Sequence, residues 1–476
     1  MKIVRATFLS MLAVAVAGSI CWAWDRWDEG TAARKRGDYD TAIEIWTEAI
    51  RSGALSEDNL ARAFYNRGIV WLNKGQYDNA IADFTKIIEH NQTYALAYLT
   101  RGSAWYFKGQ YDKAIADYNR TIEITPAHGD GYYSRGLVWF HKGQLDRAIT
   151  DYNKAIELNP RESLFYFSRG NTWDKIGQYD KAIADFTKSI ELDPMEFSTY
   201  YNRGNTWGKK RQIDNAIADY TKAIELNPRE IKIYYNRGLA WQKKRRYEKA
   251  IADFTKTVEL DPRYTDGYYK RGNAWGRKGE FDEAISDYTK TIELNPKYSN
   301  AYFNRAFAWS RKGQDDKAIA DYTKVIEINP VDPSAYYNRG KTWHQKGEFD
   351  KAIADYTKAI VLKPDHANGY FSRGVTWHQK GHYDNAITDY TKAIELKPRF
   401  IQAYYNRCYA YETQGQLRKA ISDINRFIQL VPNDRNGPIR LKELNDKLKE
   451  SESSKNYRSS WQHPWYRESD HANRLT

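Results

Sequence analysis

Charge pairs at a fixed spacing are the first chemistry that this 476-residue sequence offers. An arginine recurs from Arg67 to Arg407 at a constant step of 34 residues, and an aspartate follows each one sixteen residues later, from Asp83 to Asp423. Repeated in eleven copies, pairs such as Arg203 with Asp219 and Arg237 with Asp253 read as structural ion pairs, not as catalytic groups. Buried pairs add little net stability because desolvation offsets attraction, but losing one partner is costly. Histidines are the second candidate. His344 and His378 occupy equivalent places in adjacent copies and His382 lies four residues further on, a set able to ligate a metal. Other copies place Ser310 or Glu412 in that slot, which fits an ordinary polar position, and no metal is expected. The two cysteines, Cys21 and Cys408, draw neither a disulfide framework nor a CxxC site. Cys408 stands where nearly every other copy has glycine, which suits a small buried thiol. No phosphate loop, dinucleotide fingerprint, nucleophile elbow or HExxH is present, so neither an enzyme nor a cofactor is expected.

The same step of 34 residues organises the elements that must hold these groups. Within Tyr336–Pro364, Gly340 leaves room on a first helix and Trp343 supplies bulk one turn later. Gly347–Glu348 turns the chain, and Asp350 places negative charge near the start of a second helix, where the dipole favours it. Ala352, Tyr356 and Ala359 follow at helical spacing, and Lys363–Pro364 stops the helix, because proline disfavours helical geometry in the residue before it. Tryptophans keep the step from Trp71 to Trp377, with Tyr411 closing the series, and prolines keep it from Pro126 to Pro432; Gln92 breaks the rule in the first copy. In one copy, Tyr200, Gly204 and Trp207 share a helix face that packs on Ala216, Tyr220 and Ala223.

A small residue, an aromatic, an alanine and a terminal proline at this period resemble the tetratricopeptide repeat family over residues 24–434. The resemblance implies an all-α, right-handed superhelical solenoid of about twelve helix-turn-helix units. Residues 24–60 form a degenerate first unit that serves as a cap, and 61–434 carry eleven regular copies. Leu441, Leu444 and Leu448 mark a capping helix over 435–450, and the polar stretch 451–476, with Trp461, Trp465 and Tyr466, is expected to be disordered. At the other end, Lys2 and Arg5 precede an uncharged run, Ala6 to Trp24, laid out as a secretory signal. Residues 1–23 are expected to be removed before Trp24, giving an exported, periplasmic or secreted protein; the alternative is a membrane anchor over residues 6–24.

A binding role is what the resemblance implies. In other members, a stripe beside the packing face lines a concave groove that holds extended peptides. Here that stripe carries Tyr201, Tyr235 and Tyr269, with asparagines Asn171, Asn205 and Asn273 able to hydrogen-bond a peptide backbone. A cationic row follows at Lys175, Lys209, Lys243, Arg277 and Arg311. The aromatics fit packing between repeats as well as recognition. The family's groove that clamps a C-terminal carboxylate uses a lysine where this chain has the aromatics, which argues against a receptor of that kind. Two turns are cationic, Lys209–Lys210–Arg211 and Lys243–Lys244–Arg245–Arg246, and would merge into one patch for an anionic segment, unless they are simply solvated. The expected partner is a protein or peptide. The formal net charge of +13 leaves a polyanion, such as an acidic glycan or lipid surface, as the rival; no nucleic acid is expected.

Overall fold

The computed structural model describes residues 27–53 and 55–460; the expected signal, with Cys21, and the aromatics Trp461, Trp465 and Tyr466 lie outside them. Among the described residues every regular element is a helix, one through 27–36 and the others running from Tyr39–Arg51 to Asn436–Ser460. They form tandem helix pairs, an all-α solenoid. The chain divides into two compact units at Lys244/Arg245, inside the turn of the sixth copy.

One copy shows why the sequence folds in this way. Glu196 caps Phe197–Lys209 by accepting from the Ser198 amide at 3.0 Å. The second helix, Ile213–Leu226, carries Asp214 in its first turn and ends at Asn227, whose backbone leaves the helical region before Pro228. Between the two helices Gly204 makes room. A Cβ there would lie 2.8 Å from the buried ring of Tyr220, so glycine lets the ring approach the backbone this closely. The turn between the helices is left-handed, with φ of +77° at Gly347, for example. Arg211 (φ +61°) and Arg245 (φ +58°) adopt the same geometry without glycine.

Within each unit the charge pairs are realised in five copies. Arg203 is representative. Its Nε and Nη2 donate to the two Asp219 carboxylate oxygens at 2.8 and 2.7 Å, and its Nη1 donates to Thr187 of the preceding copy at 2.9 Å. The guanidinium also lies 5.8 Å from the Tyr200 ring centroid. Each such arginine therefore ties its own helix pair and the copy before it. Burial pushes the Asp287 carboxyl above its ordinary value although Arg271 pulls it down, as expected where desolvation offsets attraction. Arg237 belongs to the first unit, where it donates to Thr221 at 3.1 Å; Asp253 belongs to Tyr247–Leu260 of the second.

Both ends are closed by atypical units. In the first, Ala33, Ala42 and Trp46 form the core, with Trp27 edge-on to Trp46 at 4.4 Å. In the second, Leu441 and Leu444 of the last helix cover Cys408, Ile424 and Phe427. That helix runs to Ser460 and does not stop at Glu450, so residues 451–460 are helical where disorder was expected.

Candidate functional site

The expected binding stripe lies on the first helix of each copy, and most of its rings pack. Tyr201 sits 6.1 Å, centroid to centroid, from Tyr220 of its paired helix, and its hydroxyl accepts from Asn236 of the next copy at 3.0 Å. Tyr269 repeats this in the second unit, 6.1 Å from Tyr288 and accepting from Asn304 at 3.2 Å. Tyr235 is half-buried. The rings therefore join helices and neighbouring copies, leaving only their rims to a ligand.

The asparagines are held in fixed orientations. Asn205 Oδ1 accepts from the Tyr220 hydroxyl at 2.8 Å and from Asn236 Nδ2 at 2.9 Å. Asn273 is held identically by Tyr288 (2.9 Å) and Asn304 (2.8 Å), and the Asn171 oxygen accepts from Asn202 at 3.0 Å. With the carbonyl oxygens occupied, the amide NH2 groups are what these side chains have left to offer.

The cationic row is not uniform. Lys175 lies 4.5 Å from the Phe140 ring centroid, and Arg311 lies 5.7 Å from that of Phe281. Lys209 pairs with Asp174 at 2.5 Å. Among the described residues Lys243 and Arg277 make no ion pair. The basic turns behave differently from a free patch. Lys210 pairs with Asp180 and Lys244 with Asp214, as part of a ladder that also includes Lys74–Asp40 and Lys142–Asp112, both at 2.5 Å. Two of the expected patch cations are thus answered by acids of the preceding copy. Arg211 is exposed in the first unit, and Arg245 and Arg246 are exposed in the second.

A cavity of about 470 Å³ in the first unit is lined by Asn171, Asp174, Asn205, Gly208, Lys209 and Lys243. Gly208 opens it. A Cβ at that position would meet only the Tyr220 hydroxyl, at 3.9 Å, so the glycine leaves space and no neighbour demands it. Asp174 supplies the acid, bonded to Thr206 Oγ1 at 2.9 Å as well as to Lys209. No group of three or more metal-ligating side chains occurs among the described residues. His344 bonds Thr376 at 2.9 Å, and burial lowers the pKa of both His344 and His378.

Tetratricopeptide repeat models match residues 61–94, 129–162, 163–195, 197–230, 231–264, 265–298 and 333–366. Further models of the same repeat match 95–128 and 401–434, 287–320, and 311–347 with 377–415. The chain belongs to the tetratricopeptide repeat family. Such repeats generally serve as scaffolds for protein–protein interaction. Among curated proteins none matches the chain. Among solved structures it is similar to YrrB, described as a TPR protein with an unusual peptide-binding site, at 28% identity over 41% of this chain and 97% of that one, with a TM-score of 0.36. It is also similar to MamA, at 28% identity over 36% and 94%, TM-score 0.35. The C-terminal part of a TPR repeat-containing protein from Cytophaga hutchinsonii aligns at 22% identity over 50% and 97%, TM-score 0.46.

In tetratricopeptide terms the cavity spans three consecutive first helices. Sequence reasoning found Asn171, Asn205, Lys209 and Lys243 by their register and missed Gly208, Asp174 and Asn236. The signal for Gly208 was available. The slot after the tryptophan holds Leu72, Tyr106, Phe140 or His344 in other copies, and a glycine there, found again only at Gly276, leaves the space open.

Proposed function

We propose that the chain is a non-enzymatic scaffold that binds an extended segment of a partner protein on the first-helix face of its repeats. The observation that carries this reading is the cavity beside Gly208, bordered by oriented amides and by Lys243, a cation without an ion-pair partner. Peptide-like ligands match such a surface because they carry acceptors at regular intervals along an extended backbone. The rival, a polyanion on the basic turns, is weakened by the pairing of Lys210 and Lys244 with acids of the preceding copy. Export stands as part of the proposal, based on Lys2, Arg5 and the apolar run after them.

The test is selection of random linear peptides on the full chain, followed by crosslinking from benzoylphenylalanine placed at Leu239, in the cavity wall, or at Lys222, exposed on the second-helix side. Retained peptides should crosslink from position 239 and not from 222. Equal crosslinking from both positions, or no retained peptide, would refute the reading.

A further inference from the structure

The chemistry of the first-helix face changes along the first unit. In the copies 95–128 and 129–162, the two slots after the tryptophan hold Tyr106–Phe107 and Phe140–His141. Phe107 is 58% exposed, with Tyr77 stacked on it at 5.9 Å and Tyr106 edge-on at 5.2 Å. Leu96, on the same helix as Phe107, is 43% exposed. In the three copies that follow, the same slots become Asp174–Lys175, Gly208–Lys209 and Gln242–Lys243. Lys175 joins the two zones, its ammonium lying over Phe140.

The polar zone is rich in donors. Asn171 and Asn205 have their oxygens engaged and their NH2 groups left over. The one carboxylate lining the cavity, Asp174, is taken by Lys209 and Thr206, so Lys243 gives the site its uncompensated positive charge. Such a cavity favours a carboxylate, which accepts several hydrogen bonds and answers the charge.

Resting on the peptide-binding reading above, we propose that this face takes an internal acidic–aromatic segment of a partner protein. One aspartate or glutamate side chain enters the cavity at Gly208, against Lys243 and the Asn205 amide. An aromatic residue of the same segment packs on Phe107 and Phe140. A free chain terminus is not needed, because the anion is a side chain.

The experiment uses the full chain and synthetic peptides bearing a glutamate cluster and a tryptophan joined by a Gly-Ser spacer, read by fluorescence anisotropy. Amidating the peptide's C-terminus should leave affinity unchanged. Replacing its glutamates by glutamine should weaken binding about tenfold, the worth of a charge-assisted hydrogen bond. In the protein, Lys243→Gln should remove the difference between the glutamate and glutamine peptides. Gly208→Leu fills the cavity with the residue that Leu72 already supplies in the first copy, so it should fold normally by circular dichroism and lose about tenfold in affinity. Phe107→Ser should weaken both peptides alike. Equal binding of the two peptides, or a folded Gly208→Leu protein that binds like the parent, overturns the acidic-segment proposal. If display-selected peptides still crosslink from position 239 in that case, peptide binding on this face survives; if none does, the broader reading fails too.

Discussion

Gly204 and Gly208 lie one turn apart on the same helix, and alanine at each should have opposite consequences. In helix interiors alanine is favoured over glycine by about 1 kcal/mol, a gain that applies in full at Gly204 and only in part at Gly208, the penultimate residue of Phe197–Lys209. At Gly204 the new Cβ would stand 2.8 Å and 2.9 Å from Tyr220 ring carbons and 3.3 Å from the Ala216 carbonyl oxygen. At Gly208 its nearest neighbour is the Tyr220 hydroxyl at 3.9 Å, an ordinary contact. Overpacking a core costs about 1–3 kcal/mol. Gly204→Ala should therefore be less stable than Gly208→Ala, by somewhat less than that cost because the propensity gain is larger at Gly204. The eighth copy suggests the lower half of that range. It carries Ala306 in the Gly204 slot, and its Tyr322 ring stands at 73° to Phe303, against 46° for Tyr220 and Tyr201, so a turned ring makes room. Stacked repeats unfold in segments, so amide hydrogen exchange within Phe197–Lys209 reads the local stability more directly than a global melt. Protection factors that change by the same amount and in the same direction in both variants would refute the close contact at Gly204.

Two other predictions concern groups that the fold buries. Arg203→Leu should cost about 3–5 kcal/mol in urea denaturation, because Asp219 stays buried without its partner, and adding Asp219→Leu should recover most of the loss. An unchanged melt for the single variant would show that the pair contributes nothing. Burial pushes the Cys408 thiol up to about 12, so it should resist iodoacetamide at neutral and mildly alkaline pH until the last copy opens. A raised thiol pKa favours the folded state fully below the unfolded thiol's ordinary value of 9.0, and that contribution is lost as pH climbs toward about 12. Rapid alkylation of native protein at neutral pH would contradict this burial.

The fold was legible because every copy solves the same packing problem with the same residues. Gly340 and Tyr356, or Arg339 and Asp355, state the helix pairing in any one copy, and the others restate it. The site was harder to read because it lies in the slots that vary. Asn205 and Lys209 could be placed by register, but whether a cation is free depends on acids about 30 residues upstream. Lys210 and Lys244 looked like an unusual patch until Asp180 and Asp214 were seen to answer them, although lysine holds the same slot in most copies. The last helix passes Glu450 for a related reason: from Ser451 to Ser460 no glycine or proline stops it, and polar composition alone does not end a helix.

The fifth and sixth copies combine three departures from the repeat that bring no packing return, two of which, the glycine after the tryptophan and the cation that makes no ion pair among the described residues, recur at Gly276 and Arg277 of the seventh copy. Gly208, in the last turn of its helix, gives up some helix propensity, and its vacant Cβ position touches nothing closer than ordinary contact. Arg211 holds φ at +61° in a turn where most other copies place glycine, a conformation that costs a side-chain-bearing residue on the order of 1 kcal/mol. Lys243 lines the cavity without an acid, while its neighbour Lys244 has Asp214. Any one of these would pass as drift in a chain with eleven copies to vary. Three together in adjacent copies of one unit, two of them bordering the same cavity, are what a binding surface would impose: local rules broken where a ligand, and not the fold, supplies the compensating contacts.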